Sequence, residues 1–131
     1  MPEVGFAGAE RIPFYVAFAE PRDIWEARKF IQEHATEKLS LEKVARAVAI
    51  NPTHLSEKFK QVTGIKFVDY IARVRFERAR KLLEDLNLRI SEIAFAVGFQ
   101  SLSQFNRLFK KFARRSPREY RALQLMRRTR Y

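Results

Sequence analysis

Apolar residues recur every three or four positions through most of this chain, the spacing of one buried helical face. The clearest run is Phe105, Leu108, Phe109 and Phe112, at i, i+3, i+4 and i+7. It predicts a helix whose other face carries Ser103, Gln104, Asn106, Arg107, Lys110 and Lys111. Ser101 stands where a cap is needed, and Gln104 three residues later has capping-box spacing. Before that run, Ile93, Ala94 and Val97 mark another helical face, which Gly98-Phe99 breaks. After it, Ser116-Pro117 opens a third helix, with Glu119 at the box position and proline in the first turn. Ile90 to Tyr120 therefore reads as helix, tight turn, helix, turn, helix, the pattern of a helix-turn-helix.

The same periodicity continues upstream. Pro21 opens a helix to about Ala35, with Ile24, Ala27, Phe30 and Ile31 inward and Trp25 packing at the edge of that stripe. His34 lies near its C-terminal end, where a charge would favour the helix dipole. Ser40 caps a helix over Leu41–Val48, with Leu41, Val44, Ala45 and Val48 inward. Asn51 and Pro52 start the next, which buries Leu55, Phe59 and Val62 and stops at Gly64. The longest helical pattern runs from Phe67 to Leu86 and ends at Asn87. Tyr70, Ile71, Val74, Ala79, Leu82 and Leu83 form its apolar side. Arg73, Arg75, Arg78, Arg80 and Lys81 form its basic side, either a solvated face partly paired with Glu77, Glu84 and Asp85 or a source of one or two phosphate contacts. The last five residues, RRTRY, read as a frayed basic tail.

One segment breaks the helical pattern. Phe14, Val16 and Phe18 alternate with Tyr15, Ala17 and Ala19, which suits a β-strand. A single strand has no sheet to join in a helical chain. It is either an N-terminal arm or the remnant or docking strand of a sensor domain upstream.

The helical unit occurs twice. Val44, Ala45, Ala47 and Val48 correspond to Ile93, Ala94, Ala96 and Val97 at an offset of 49. Leu55, Phe59, Lys60, Val62 and Tyr70 correspond to Phe105, Phe109, Lys110, Phe112 and Tyr120 at an offset of 50. Repeated apolar positions imply two copies of one helix packing. The pattern divides the chain into residues 1–21, an arm; 22–86, a first subdomain with the long helix; and 87–131, a second subdomain with the tail. A rigid connecting helix of about 20 residues spans about 30 Å. Successive major-groove faces lie about 34 Å apart, so one chain could set two recognition helices into adjacent groove segments and read about 20 base pairs.

Charge sharpens this picture. The 131 residues carry 26 Lys and Arg against 15 Asp and Glu, a formal charge of +11, which favours an anionic partner. The charge is uneven: −2 over residues 1–21, +4 over 22–85 and +9 over 86–131. The chain has no Cys and two His. That excludes disulfides, thiolate metal sites and cysteine chemistry, and it leaves no catalytic set, so neither an enzyme nor a cofactor or metal is expected. No run of about 18 apolar residues could span a membrane, and the N-terminus lacks the basic start of a signal peptide. The expected compartment is the cytoplasm.

The stretch IAFAVGFQSLSQFNRLFKKFARRSPREYRA (Ile93–Ala122) resembles the signature of the AraC/XylS family of bacterial transcription regulators. The resemblance extends over about Ile24 to Leu125. It implies an all-α, seven-helix domain with two helix-turn-helix subdomains joined by a long linker helix. It also implies promoter binding on double-stranded DNA, usually activation, with RNA polymerase as a partner and an upstream sensor domain or dimer partner. By position, the base-reading residues would be Thr53, Ser56 and Glu57 in the first recognition helix, and Ser103, Gln104, Asn106 and Arg107 in the second. Gln104 and Asn106 suit adenine, and Arg107 suits guanine. Glu57 could accept from cytosine but would repel nearby phosphates. Lys58, Lys60, Lys110, Lys111 and Arg118 are the phosphate candidates; each could equally be a solvated surface charge. Phe59, Phe95, Phe99, Phe105, Phe109 and Phe112 are assigned to the core. The chain departs from the family pattern at Ala49 and Arg114, where members carry Gly. A left-handed Arg114 would cost about 1 kcal/mol, which a phosphate contact could offset. The second subdomain is expected to give most of the affinity. A sequence-neutral nucleic-acid binder is the alternative, although it would need no repeated caps and reading positions.

Overall fold

The structure, a computed structural model, describes residues 20–129. The arm and the strand expected at Phe14–Ala19 lie outside the described residues. Among the described residues seven helices follow one another: α1 Arg22–His34, α2 Leu41–Ala47, α3 Pro52–Thr63, α4 Phe67–Leu82, α5 Ile90–Ala96, α6 Leu102–Ala113 and α7 Pro117–Thr129. No strand occurs among the described residues. The chain forms two compact units, one up to Val74 and one from Arg75 onward, so the division falls inside α4. This differs from the division after residue 86 drawn from the sequence. The cause is that α4 serves both cores: Tyr70, Ile71 and Val74 belong to the first, and Phe76 and Ala79 to the second.

In the first unit, Ile24, Ala27 and Ile31 of α1 meet Val44 and Ala45 of α2 and Leu55 and Phe59 of α3. Phe59 stands edge-on to Phe67 and Tyr70, at centroid distances of 5.9 and 5.4 Å. The buried Tyr70 hydroxyl accepts from Gln32 Nε2 at 2.8 Å, so its polar end is satisfied. Arg28, also buried, donates through two nitrogens to Glu20 at 2.6 Å each. In the second unit, Ile93 and Ala94 of α5 and Val97, its C-cap, pack with Phe99, Phe105 and Phe109 around Phe76, Ala79 and Leu83. Tyr120 lies edge-on to Phe109 at 5.4 Å, the counterpart of Tyr70 on Phe59.

Four expectations fail, each for a physical reason. The long helix stops at Leu82, not Leu86, so its length is about 24 Å rather than about 30 Å. Beyond it the chain makes tight turns, with the amides of Glu84 and Asp85 bonded to the Lys81 and Leu82 carbonyls. Asp85 Oδ1 then takes the Asn87 amide at 2.9 Å. Three carbonyls in this turn are claimed from α7: Arg121 binds those of Leu83 and Asp85 at 3.0 and 3.1 Å, and Arg128 that of Glu84 at 3.2 Å. The same contact explains why the tail is not frayed from residue 127, since α7 continues to Thr129. Trp25 is 46% exposed, with Lys29 Nζ 5.4 Å from its ring centroid, because Ile24 and Ala27 already fill the inward face of α1. Phe95 is 54% exposed: Ile93 and Ala94 take the inward positions of α5, and residue 95 falls on the opposite side.

Arg121 thus ties α7 to the turn after α4 through two charge-assisted bonds. Arg121→Ala is expected to lower the stability of the domain by about 2 kcal/mol, measured as the shift in urea midpoint at constant slope. A loss below about 0.5 kcal/mol would show that water replaces the guanidinium without cost.

Candidate nucleic-acid interface

The two second helices of the repeat, α3 and α6, are built alike. Each has 12 residues and begins one residue after its cap. Asn51 Oδ1 accepts the His54 amide at 3.2 Å, and Ser101 Oγ accepts the Gln104 amide at 3.0 Å. The expected reciprocal half of the Ser101 box is displaced by one residue: Gln104 Oε1 takes the Gln100 amide, at 3.4 Å. The Ser116 box is complete, with Glu119 accepting from the Ser116 amide at 2.8 Å and Ser116 Oγ from the Glu119 amide at 3.1 Å. Those bonds, the backbone one first, hold the Glu119 carboxyl below its ordinary range. Its charge is therefore committed to the start of α7.

The apolar phase decides what faces out. On α6, Phe105 and Phe109 are buried, while Ser103, Asn106, Arg107, Lys110 and Lys111 are exposed and Gln104 is half-buried. On α3, Leu55 and Phe59 are buried, Thr53, His54, Glu57 and Lys60 are exposed, and Ser56 is half-buried. Lys58 is drawn to α1, where it donates to Asp23 Oδ2 at 2.8 Å. Arg118 is exposed in the first turn of α7. On α4, Arg80 is held by the buried Glu77 at 2.7 Å and by the Tyr120 hydroxyl at 3.4 Å, the paired rather than the phosphate-binding alternative.

Beside each helix runs an open groove, and the two grooves correspond by the repeat. In the second unit it has about 690 Å³ and is flanked by Asn106, Lys110, Arg118 and Arg89. In the first it has about 820 Å³ and is flanked by Ser56, Lys60, Lys66, Val68 and Glu57. Val68 stands where Arg118 stands in the second copy, and Glu57 where Arg107 stands, at an offset of 50. The second groove, lined by Arg89, Lys110, Arg118 and Arg121, is more cationic than the first, lined by Lys60, Lys66 and Glu57. Arg89 and Lys66 escaped the sequence reading because neither lies on the outer face of a predicted helix. The repeat offset does not mark Lys66 either, since its counterpart is Ser116, a helix cap.

Backbone geometry singles out the two positions where the chain departs from the family pattern. Among the described residues, only Ala49 (φ 58°) and Arg114 (φ 65°) are non-glycine residues with positive φ. Ala49 occupies the turn between α2 and α3, and Gly98 (φ 108°) the turn between α5 and α6. Arg114 ends α6 as Gly64 (φ 81°) ends α3, each donating its amide to a carbonyl four residues back at 2.8 Å. A β-carbon added at Gly64 would meet nothing within 4 Å. At that site a side chain costs backbone strain alone.

Two helix-turn-helix units in tandem, each with a capped helix whose outer face is polar, define a DNA-binding architecture. Comparison with known proteins agrees. Residues 44–123 match the family described as "Helix-turn-helix domain". The chain is 40% identical over 94 residues to the uncharacterized HTH-type transcriptional regulator YijO of Escherichia coli, covering 72% of this chain and 33% of that protein. It is 37% identical over 101 residues to the bifunctional transcriptional activator/DNA repair enzyme AdaA of Bacillus subtilis, covering 77% and 48%. The C-terminal domain of AraT, a response regulator from Geobacillus stearothermophilus, superposes with a TM-score of 0.75 at 36% identity, over 79% of this chain and 86% of that one. The chain belongs to the AraC-type helix-turn-helix family of DNA-binding transcription regulators. It spans half or less of the length of these two curated relatives. Among the described residues, no helix is long and apolar enough to cross a membrane.

Proposed function

We propose that this domain reads a specific duplex site by placing α3 and α6 in adjacent major-groove segments, and so directs transcription from nearby promoters. The observation that carries the proposal is the matched start of the two helices, which gives each unit an outward first turn on a buried aromatic base. Arg107 reads guanine and Asn106 adenine, with Ser103 in support; Gln104 reads adenine once its carbonyl gives up the 3.4 Å bond from the Gln100 amide. Thr53, Ser56 and Glu57 form the reading face of α3. Lys60, Lys110, Lys111, Arg114 and Arg118 hold phosphates. Lys58 is left out of this set because its ion pair with Asp23 would have to break first. The whole protein joins this domain to a sensor or dimer partner and acts as an activator through RNA polymerase at the bacterial nucleoid. No catalytic role belongs to this domain.

Selection of binding sites from a random duplex pool at near-physiological salt tests the proposal. Two boxes about one helical turn apart are expected. A single box would remove α3 from base reading. The absence of any enrichment would sink sequence-specific recognition and leave a neutral binder held by charge.

Arg114 gives a second, local test. Arg114→Gly is expected to raise stability by about 1 kcal/mol through relief of the left-handed strain, read from the urea midpoint. The same change removes one phosphate contact, so affinity should fall and the slope of log K against log salt should flatten by about 0.9. Unchanged affinity and slope would show that the cation has no phosphate to meet.

A further inference from the structure

The acidic Glu57 and the short Thr53 and Ser56 leave α3 poor in groups that donate to guanine, and the structure supplies one. We infer that His54 reads a base pair in the box contacted by α3, as a specificity-determining residue. The assignment rests on the proposed reading of DNA by both helices.

Three observations carry it. His54 is the third residue of α3, as Gln104 is of α6, and each amide is bonded by the cap of its own helix. The two residues therefore leave their helices at the same height and on the same side. First-turn residues of a helix inserted in the major groove are those that reach base edges. Next, the two side chains differ in availability. Gln104 is half-buried and spends its carbonyl on the Gln100 amide at 3.4 Å. His54 is exposed, and among the described residues its ring makes no hydrogen bond, ion pair or ring contact. Finally, the structural task of the position is performed by the His54 backbone, since Asn51 binds its amide. The imidazole is thus left over from folding.

An imidazole N–H is a single donor on a short, stiff stem. In the major groove it complements the N7 and O6 acceptors of guanine, the base edge with two adjacent acceptors. Glu57, one turn further along, accepts rather than donates, so the pair favours opposite base edges. Together they would make the α3 box polar in a different sense from the α6 box, whose Arg107 and Asn106 read guanine and adenine.

The test compares sites selected by the wild type, His54→Ala and His54→Gln under identical salt. Thermal unfolding of all three should coincide, because the ring is exposed and the cap bond uses the backbone. In the α3 box of the wild type, one guanine should be preferred about tenfold. His54→Ala should lose that preference at that base pair alone. His54→Gln, which copies the α6 residue, should move it towards adenine. An unchanged motif in His54→Ala overturns the assignment. So does a uniform weakening on all sequences with a flatter salt slope, which would make His54 a phosphate contact. A wild type that enriches no motif refutes the underlying reading, and a wild type that enriches only the α6 box refutes the role of His54.

Discussion

Phe109→Ala is expected to cost about 3–5 kcal/mol, a large share of the roughly 5–15 kcal/mol that holds a domain together. The side chain is 1% exposed. Its ring lies 4.9 Å from Phe76, 5.6 Å from Phe105 and 5.4 Å from Tyr120. Truncation leaves a cavity bounded by rings on three different helices, α4, α6 and α7, none of which can collapse into it alone. Chemical denaturation followed by helical circular dichroism measures the loss. Phe95→Ala is the matched control: the same residue type one helix earlier, 54% exposed, with an expected change within about 0.5 kcal/mol. Equal losses in the two variants would mean that the packing described for the second unit is wrong. Because α6 is seated on Phe105 and Phe109, Phe109→Ala should also lose DNA binding near 37 °C, whereas Phe95→Ala should keep it.

Binding should also be steeply salt-dependent. Five phosphate contacts, from Lys60, Lys110, Lys111, Arg114 and Arg118, give a slope of about −4.5 for log K against log salt. Raising salt from 50 to 200 mM should then weaken binding about 500-fold, measured by fluorescence anisotropy on a selected duplex. The second unit should account for most of it, since four of the five cations are there. Lys110→Ala and Arg118→Ala should each flatten the slope by about 0.9, while Lys58→Ala should leave it unchanged because Lys58 is engaged with Asp23. A slope shallower than about −2 would mean that these cations are solvated surface charges and do not meet phosphate.

Periodicity was a sound guide wherever a residue's fate depends on helical phase. Phe59, Phe105 and Phe109 were placed in the core by spacing, and all three are buried. Phe95, assigned to the core with them, lies off the apolar phase of its helix and is exposed. The caps at Asn51 and Ser101 were also legible, because the bond that makes a cap spans only three residues. Arg114 is legible as a strained position because the family pattern carries Gly there, and it is left-handed, as Gly64 is at the end of α3.

Contacts between residues far apart in the chain were hidden. Lys58 and Asp23 are 35 positions apart, and nothing in either neighbourhood names the other as its partner. The end of α4 is hidden for the same reason. The residues 83–87 have ordinary helical propensity, and the turn there is held by Arg121 and Arg128 from a helix more than 30 residues later.

By itself, then, the sequence determined the number and order of the helices among the described residues, most of their apolar faces and caps, and the doubling of the unit. Those follow from local periodicity and short-range hydrogen bonds. Only the tertiary structure decided which cations remain available, where the shared helix stops, and that its two halves serve separate cores. Those depend on which side chains distant in sequence meet, and a one-dimensional pattern carries no record of that.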